Sequence, residues 1–536
     1  MKKKTIAITM AAAMIAATLS ACGSNQEETA AASTDANTST EASSAKKTEL
    51  NVATELMATT NEPATGWDSW YVQRYGIGEC LIRNGDDGTM QPWLADSWSV
   101  ADDELTWTFN IKPGVKFSNG TDLTPTKVVE SIERLYRLTD PANGGEGLPQ
   151  AYMTYSSITA DDEAGTVTIV TDKPTPDMPG VVAYPWMMIV DAEATENIDT
   201  ITSAPICTGP YVMDSFTEGL EIKLSKNPYY YDEVPFEKVN VMRIAESSSR
   251  TMALQDGSAD LAINIAATDR KMLEDSGYNV EVTAGGRVCD TFFNFSNPVL
   301  ADPEFRHAFN KAIDGETVAN VTTNGAYMYG YAVVPSSYDY GYDELKWDDG
   351  YDPEAAMKML DDAGYVDTDG DGYRESNGKN IELNYVVQAN RSMDLIAQAV
   401  MAQLDEVGIK ANIQLVEHLN DYLSNGNYDI INASISTMPT GDPGSYFSRW
   451  RTGATDNSCG YSNPEFDEIF DKMIVEFDFA KRRDYIIQLQ QIIIDDAAAR
   501  CNGYYATNVC YTSAITDVVN NPSEYYWINK DIKPAE

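Results

Sequence analysis

The residues with the most evident chemical spacing are acidic. In "VDTDGDGYRESNGK" the carboxylates Asp367, Asp369 and Asp371 recur at every second position, and Gly372 follows them. Alternating carboxylates offer oxygen ligands to a hard cation, and a glycine allows the sharp turn between them. These offsets are those of a calcium-binding helix–loop–helix, which makes Asp367, Asp369 and Asp371 candidate ligands for a structural calcium. Such a loop also needs a bidentate glutamate at its twelfth position and a helix on each side. The twelfth position here is Gly378.

The flanking elements decide between a sensor and a connector. Upstream, "YDPEAAMKMLDDAGY" has Asp352 placed to cap a helix, Pro353 in its first turn and Gly364 just past its end. Downstream, "IELNYVV" (Ile381 to Val387) reads as a strand. The loop therefore joins a helix to a strand, the setting of an acidic connector rather than a calcium sensor. The chain continues with "SMDLIAQAVMAQLDEVG", whose Ile396, Ala399, Val400 and Leu404 form one helical stripe stopped by Gly408. "IKANIQL" then alternates Ile409, Ala411, Ile413 and Leu415. Strand, helix and strand at these lengths predict a crossover unit with a parallel strand pair. Earlier, "LTWTFNI" alternates Trp107, Phe109 and Ile111 on one face of a strand. A turn-rich stretch leads from it to "PTKVVESIERLYR", a helix opened by proline.

Catalytic chemistry finds little to work with. The chain has two histidines, His307 and His418. No GxSxG, HExxH or phosphate-binding glycine loop is present, and carboxylates are too abundant for a paired set to stand out. His307 lies off the Phe305, Ala308, Phe309, Ala312 stripe of its helix, and His418 has no nearby cysteine or histidine. The pattern predicts no enzyme, no cofactor and no metal site supplied by imidazole or thiolate.

With 536 residues, of which 43% are hydrophobic, the chain is long enough for two or three cores. Its formal charge of −44 opposes nucleic-acid binding, because a phosphate backbone would be repelled. At the N-terminus, Lys2, Lys3 and Lys4 precede an apolar run that ends in "LSAC", shorter than the roughly 20 residues a membrane span requires. Residues 1–22 are expected to be a secretory signal. Residues 23–46, rich in Ala, Ser, Thr and Glu, lack the apolar groups needed to fold and should be a disordered tether. Outside the cell Cys80, Cys207, Cys289, Cys459, Cys501 and Cys510 could form disulfides, whose pairing spacing alone does not choose.

Several blocks together resemble one family. "LSACGS" is similar to the lipobox of bacterial lipoproteins, which implies cleavage before Cys22 and lipidation of its sulfur. "PWLADSWSVADDELTWTFNIKPGVKFSNGTDLTPTKVVESIERL", "APICTGPYVM…IKLSKNPYYYDE", "MALQDGSADLAI" and "FFNFSNPVLADPEFRHAFNKAIDGETV" occur in the order found in ABC-importer solute-binding proteins of family 5, the dipeptide, oligopeptide and nickel type. Cys207 stands where a glycine is usual. The resemblance implies an α/β fold of the periplasmic-binding-protein type (class II, cluster C), hinged and two-lobed, with an extra small domain and discontinuous domains. Lobe I would comprise 47–78, 204–290 and 500–536, the small lobe II 79–203, and lobe III 291–499. It also implies a monomer, lipid-anchored on the outer face of the cytoplasmic membrane of a Gram-positive-type bacterium. That monomer would deliver its ligand to an ABC permease and its ATPase.

For such a binder the ligand would be a short peptide, or alternatively nickel or a metal chelate of the metallophore type. A peptide offers a carboxylate and an ammonium, which suit a guanidinium and an acid. In peptide-binding relatives an aspartate four residues before a proline holds the amine. That position here is Pro439, and Asp442 is the nearby substitute, with a turn-forming role as its alternative. Arg391, between a strand and the next helix, and Arg287, before "CDTFFNF", are candidate carboxylate clamps. Trp67, Trp70 and Tyr71, in the loop after the first strand, and Tyr446 with Trp450 are candidate apolar walls, with core packing as the competing role.

Overall fold

Two unusually long strands organise the molecule. The computed structural model describes residues 47–536 apart from 87 and 201. The expected signal segment with Cys22 and the tether lie outside the described residues. In chain order the main sheet uses β1 (Glu49–Thr54), β2 (Tyr211–Thr217), β3 (Glu221–Lys226), β4 (Lys238–Arg243), β5 (Leu261–Ile263), β6 (Asn279–Phe293), β7 (Glu382–Gln388), β8 (Lys410–Val416), β9 (Ile430–Ser436) and β10 (Ala499–Tyr511). Their spatial order is β8-β7-β9-β6-β10-β5-β1-β4-β3-β2, with a short strand at Tyr327–Met328 also paired to β10. The strands β6 and β10, of 15 and 13 residues, run antiparallel through the middle. The end of β10 pairs with β5, while the second half of β6 pairs with β9 from Arg287↔Ser436 to Phe293↔Ile430. These two strands thus belong to both halves of the sheet.

Each half has its own core. Leu50, Val52, Ile222, Val239 and Leu261 fill one, beneath β1 to β5. Phe293, Phe305, Phe309, Tyr385 and Ile396 fill another around β7, and Phe292, Phe447, Trp450 and Leu489 fill the opposite face of that half. A separate four-stranded antiparallel sheet is ordered Ala95–Val100, Thr106–Ile111, Thr166–Thr171, Tyr155–Asp161. Its Trp107, Phe109 and Ile111 are buried together, as the alternation predicts.

The local signals account for the helices. Thr124 caps Pro125–Thr139 by accepting from the Lys127 N–H, and Asp352 caps Pro353–Asp362 by accepting from the Ala355 N–H. The segment 382–416 is the expected crossover unit, with β7 and β8 parallel and Met393–Glu406 between them. Two expectations change. Trp70 and Tyr71 lie on a short helix, Asp68–Arg74, and not in a loop. All six described cysteines are free and buried, so none forms a disulfide. Among the described residues no helix is long and apolar enough to cross a membrane.

Candidate functional site

Arg287 sits on an irregularity that its own sequence creates. The register of β6 against β10 shifts between Ala284 and Val288, across "GGR". Bulges of this kind re-aim a side chain. A side chain at either glycine would crowd its neighbours. A Cβ on Gly286 would lie 3.0 Å from the Tyr338 hydroxyl and 3.1 Å from Met438 Cβ, and one on Gly285 would lie 3.1 Å from Glu524 Oε1. Arg287 therefore emerges at the centre of the molecule, where its Nη1 donates to the Ser434 carbonyl at 3.1 Å. No carboxylate lies within ion-pair distance of it among the described residues. Burial, and then the like charge of Arg391, lowers its pKa.

The facing wall comes from the two ends of the chain. Arg74 donates from Nε to the Glu524 carbonyl at 2.7 Å, and its guanidinium lies 4.4 Å from the Trp527 ring and 4.9 Å from that of Tyr71. Trp70 packs edge-on against Tyr525 at 5.0 Å. Trp70, Glu524 and Tyr525 close over Arg287, Tyr338 and Met438, leaving ≈ 10 Å³, room for about one water. Glu524 is the acid whose charge opposes the lowering of the Arg287 pKa.

Arg391 completes the group. It follows the C-terminal end of β7 and, with Ser392, adopts left-handed backbone angles, φ +46° and +58°. Two successive non-glycine residues in this region store strain of the kind found at ligand clamps. Asn390 Oδ1, immediately before them, has no hydrogen-bond partner among the described residues. Arg391 and Arg287 both act on Tyr505, as do Glu524 and Glu55. The Tyr505 hydroxyl is pushed up to about 12, by burial first and then by the two acids, with the arginines opposing. Arg287 thus shares its small space with Glu524 and Tyr525, and the charge of Arg391 is felt by both Arg287 and Tyr505.

The other residues singled out in the sequence lie elsewhere. Trp67 is 61% exposed and stands edge-on to Trp70 at 4.9 Å. Tyr446 and Trp450 are core residues. Tyr446 donates to Asp290 at 2.7 Å, and Trp450 stacks on Phe292 at 5.5 Å. Asp442 is gripped by Arg482. In the acidic loop, Asp367 accepts the N–H groups of Gly370 and Gly372 at 2.6 and 3.0 Å, while Asp371 accepts from Tyr373 N–H and Asn380. Asp367 and Asp369 converge with Glu375, not Asp371, as the three carboxylates close enough to share an ion. His307 pairs with Asp349 at 2.6 Å. The sequence reading missed Glu524, Tyr525, Tyr338 and Met438. The paired glycines before Arg287 were the one available signal.

Comparison with known proteins places this cleft in context. Residues 89–458 match the bacterial extracellular solute-binding proteins, family 5. The chain is 27% identical over 435 residues to the probable D,D-dipeptide-binding periplasmic protein DdpA of Escherichia coli K12, covering 77% of this chain and 80% of that one. It superposes on the nickel ABC transporter protein from Bacillus halodurans with a TM-score of 0.78 at 23% identity, covering 91% and 100% of the two chains. It superposes on the oligopeptide-binding protein AppA of Bacillus subtilis, solved with a nonapeptide, with a TM-score of 0.70 at 20% identity, covering 92% and 100%. The fold is the two-lobed periplasmic-binding-protein type that the resemblance implied, and these relatives are binding and transport proteins. The chain belongs to the family 5 bacterial extracellular solute-binding proteins.

Proposed function

We propose that this protein captures short peptides outside the membrane and delivers them to an ABC permease and its ATPase. The observation that supports the reading is the guanidinium of Arg287, which has no ion pair among the described residues and lines one space with Glu524 and Tyr525, with Arg391 as a second cation whose charge reaches it. Two arginines suit a carboxylate, which they can hold by charge-assisted hydrogen bonds. An acid on the facing wall suits an ammonium. A zwitterion of peptide length satisfies both. The acid that holds the amine is then Glu524, from the C-terminal segment, whose carboxylate also lies 3.6 Å from the Arg74 guanidinium, and not Asp442.

A space of ≈ 10 Å³ holds no peptide, so capture requires the walls to part and close again. In this reading β6 and β10, shared by both halves of the sheet, are the hinge, and the lobes are those set out from the sequence. Ligand contacts made only when the walls meet drive closure. A lipid on Cys22 keeps the body at the membrane surface. The cycle has no chemical step and calls for no cofactor. Micromolar capture, about −8 kcal/mol, suits it.

A nickel or metallophore chelate is the second reading, favoured by the likeness in fold to the nickel transporter protein. A carboxylate-rich chelate would also use both arginines. It would have to supply its own metal donors, because neither histidine lies among the cleft residues. Native mass spectrometry of residues 47–536, purified without denaturation, separates the two. A ladder of peptide masses supports the first reading, and one added mass with a nickel isotope pattern replaces it with the second.

A further inference from the structure

A cavity of ≈ 580 Å³, far larger than the space around Arg287, lies apart from it. The cavity lies between the four-stranded sheet and the helix Phe479–Asp495 with the short segment that precedes it. The segment 438–442 separates the two spaces. Met438 faces Arg287, whereas Thr440, Gly441 and Asp442 line the larger cavity. The partition is tightly built. A Cβ on Gly180 would fall 1.9 Å from the Thr440 carbonyl oxygen, and Tyr525 donates its hydroxyl to the Pro439 carbonyl at 3.0 Å.

The walls of the larger cavity are aromatic on both sides. Trp98 and Trp107 come from the sheet, Phe479 from the start of the last long helix and Phe477 from the segment just before it. Trp107 and Phe477 are 6.0 Å apart, and Phe479 stands 60% exposed at the rim. Trp107 is only 4% exposed, and its indole N–H has no acceptor among the described residues. The charges are unbalanced. Arg482 spends its Nε and Nη2 on Asp442 and its Nη1 on the Met473 carbonyl, so its charge is already answered. Asp339 is paired with Arg483, and Glu476 accepts the Asp478 N–H. Asp177 has no ion pair among the described residues. Burial, and then Asp442 beside it, pushes its carboxyl up to about 6. The charges of Arg482 and Lys173 oppose that rise, but neither lies within ion-pair distance of Asp177, and a carboxylate among apolar walls without a paired cation is costly.

We propose that this cavity is a second binding site, for an organic ammonium ion with an apolar body. The ammonium answers Asp177, and the body lies between the rings of Trp98, Trp107, Phe477 and Phe479, whose faces attract a cation. A bound ion bridges the four-stranded sheet and the helical half, and so strengthens the contact between them. An anion is disfavoured by the same unpaired carboxylate.

The test uses 2-phenylethylamine as probe, titrated calorimetrically into residues 47–536 at pH 7.5, with 2-phenylethanol and phenylacetate as uncharged and anionic controls. The expected result is saturable 1:1 binding of the amine, at least tenfold tighter than the alcohol, and no binding of the acid. Asp177→Asn should weaken the amine at least tenfold and remove its advantage over the alcohol. Phe479→Ala, at an exposed position where folding is not at stake, should weaken amine and alcohol alike by at least threefold. Absence of saturable binding at millimolar amine overturns the proposal. So does an advantage of amine over alcohol that survives Asp177→Asn. None of these readouts involves Arg287 or Arg391, so the outcome is independent of what the cleft carries.

Discussion

Arg482 holds both carboxylate oxygens of Asp442 at 2.8 Å, one from Nε and one from Nη2. Asp442 also accepts the Gly444 N–H at 2.8 Å, so it fixes the turn that the Asp-Pro-Gly sequence anticipates. Removing one partner of a buried ion pair leaves the other charge uncompensated, at a cost of about 3–5 kcal/mol. Asp442→Ala is therefore expected to lower the unfolding free energy by that order in urea titrations. A variant with parental stability and a lost ligand would instead put Asp442 in the binding role.

Arg287 and Arg391 are expected to act on affinity rather than on stability. Neither makes an ion pair among the described residues, and the charge of Arg391 acts on Arg287. Arg391→Ala should weaken ligand binding at least tenfold, which corresponds to about 1.4 kcal/mol. Arg287→Ala should do the same, and losses in the double variant should fall short of the sum if one carboxylate is shared. Calorimetry with the co-purified ligand measures each. Unchanged affinity in either single variant removes that residue from the site.

The acidic loop predicts the opposite behaviour. Its carboxylates are occupied with their own backbone: Asp367 closes the turn at Gly370 and Gly372, and Asp371 the next turn at Tyr373. Replacing Asp367, Asp369 and Asp371 together by Asn removes the charge and keeps one acceptor oxygen at each position, so that Asp367 gives up only one of its two N–H bonds. Ligand affinity in the triple variant should equal that of the parent by calorimetry. A large loss would tie the loop, with or without calcium, to capture.

The parts legible in the sequence are those whose cause is local. Asp352, Pro353 and Gly364 bound one helix because a cap, a fixed φ and a left-handed turn act within a few residues. Trp107, Phe109 and Ile111 alternate because a strand has two faces. The site was legible only in half. Arg391 stands out at the end of β7, but Glu524 comes near Arg287 because the C-terminal segment docks on β6, the Gly286 N–H donating to the Pro522 carbonyl at 3.2 Å, a contact that no local pattern encodes. Tyr446 and Trp450 show the reverse failure. Aromatic residues in a "DPGSYFSRW" segment look the same whether they line a pocket or fill a core, and the packing of Phe292 against Trp450 decides for the core.

Two buried acids give stability a pH signature. Glu79 is fully buried and accepts hydroxyl hydrogen bonds from Thr208, Tyr230 and Tyr231 at 2.8, 2.9 and 3.0 Å. Burial outweighs those bonds and raises its pKa from 4.5 to about 7. Asp290, equally buried, is raised from 3.8 to about 7 by burial, against the Tyr446 hydrogen bond and the charge of Arg449. In both cases the folded chain holds the proton more tightly than the unfolded one. Their contribution is therefore complete below about pH 4, is lost as pH rises through 7, and is flat above that. For Glu79 the shift corresponds to about 3 kcal/mol. Glu79→Gln cannot titrate, so its stability relative to the parent should rise by up to that amount between pH 4.5 and pH 8. Urea unfolding of both proteins across that range measures the difference, in which every other titrating group cancels. A difference that stays constant with pH would mean that Glu79 ionises as readily in the folded chain as in the unfolded one.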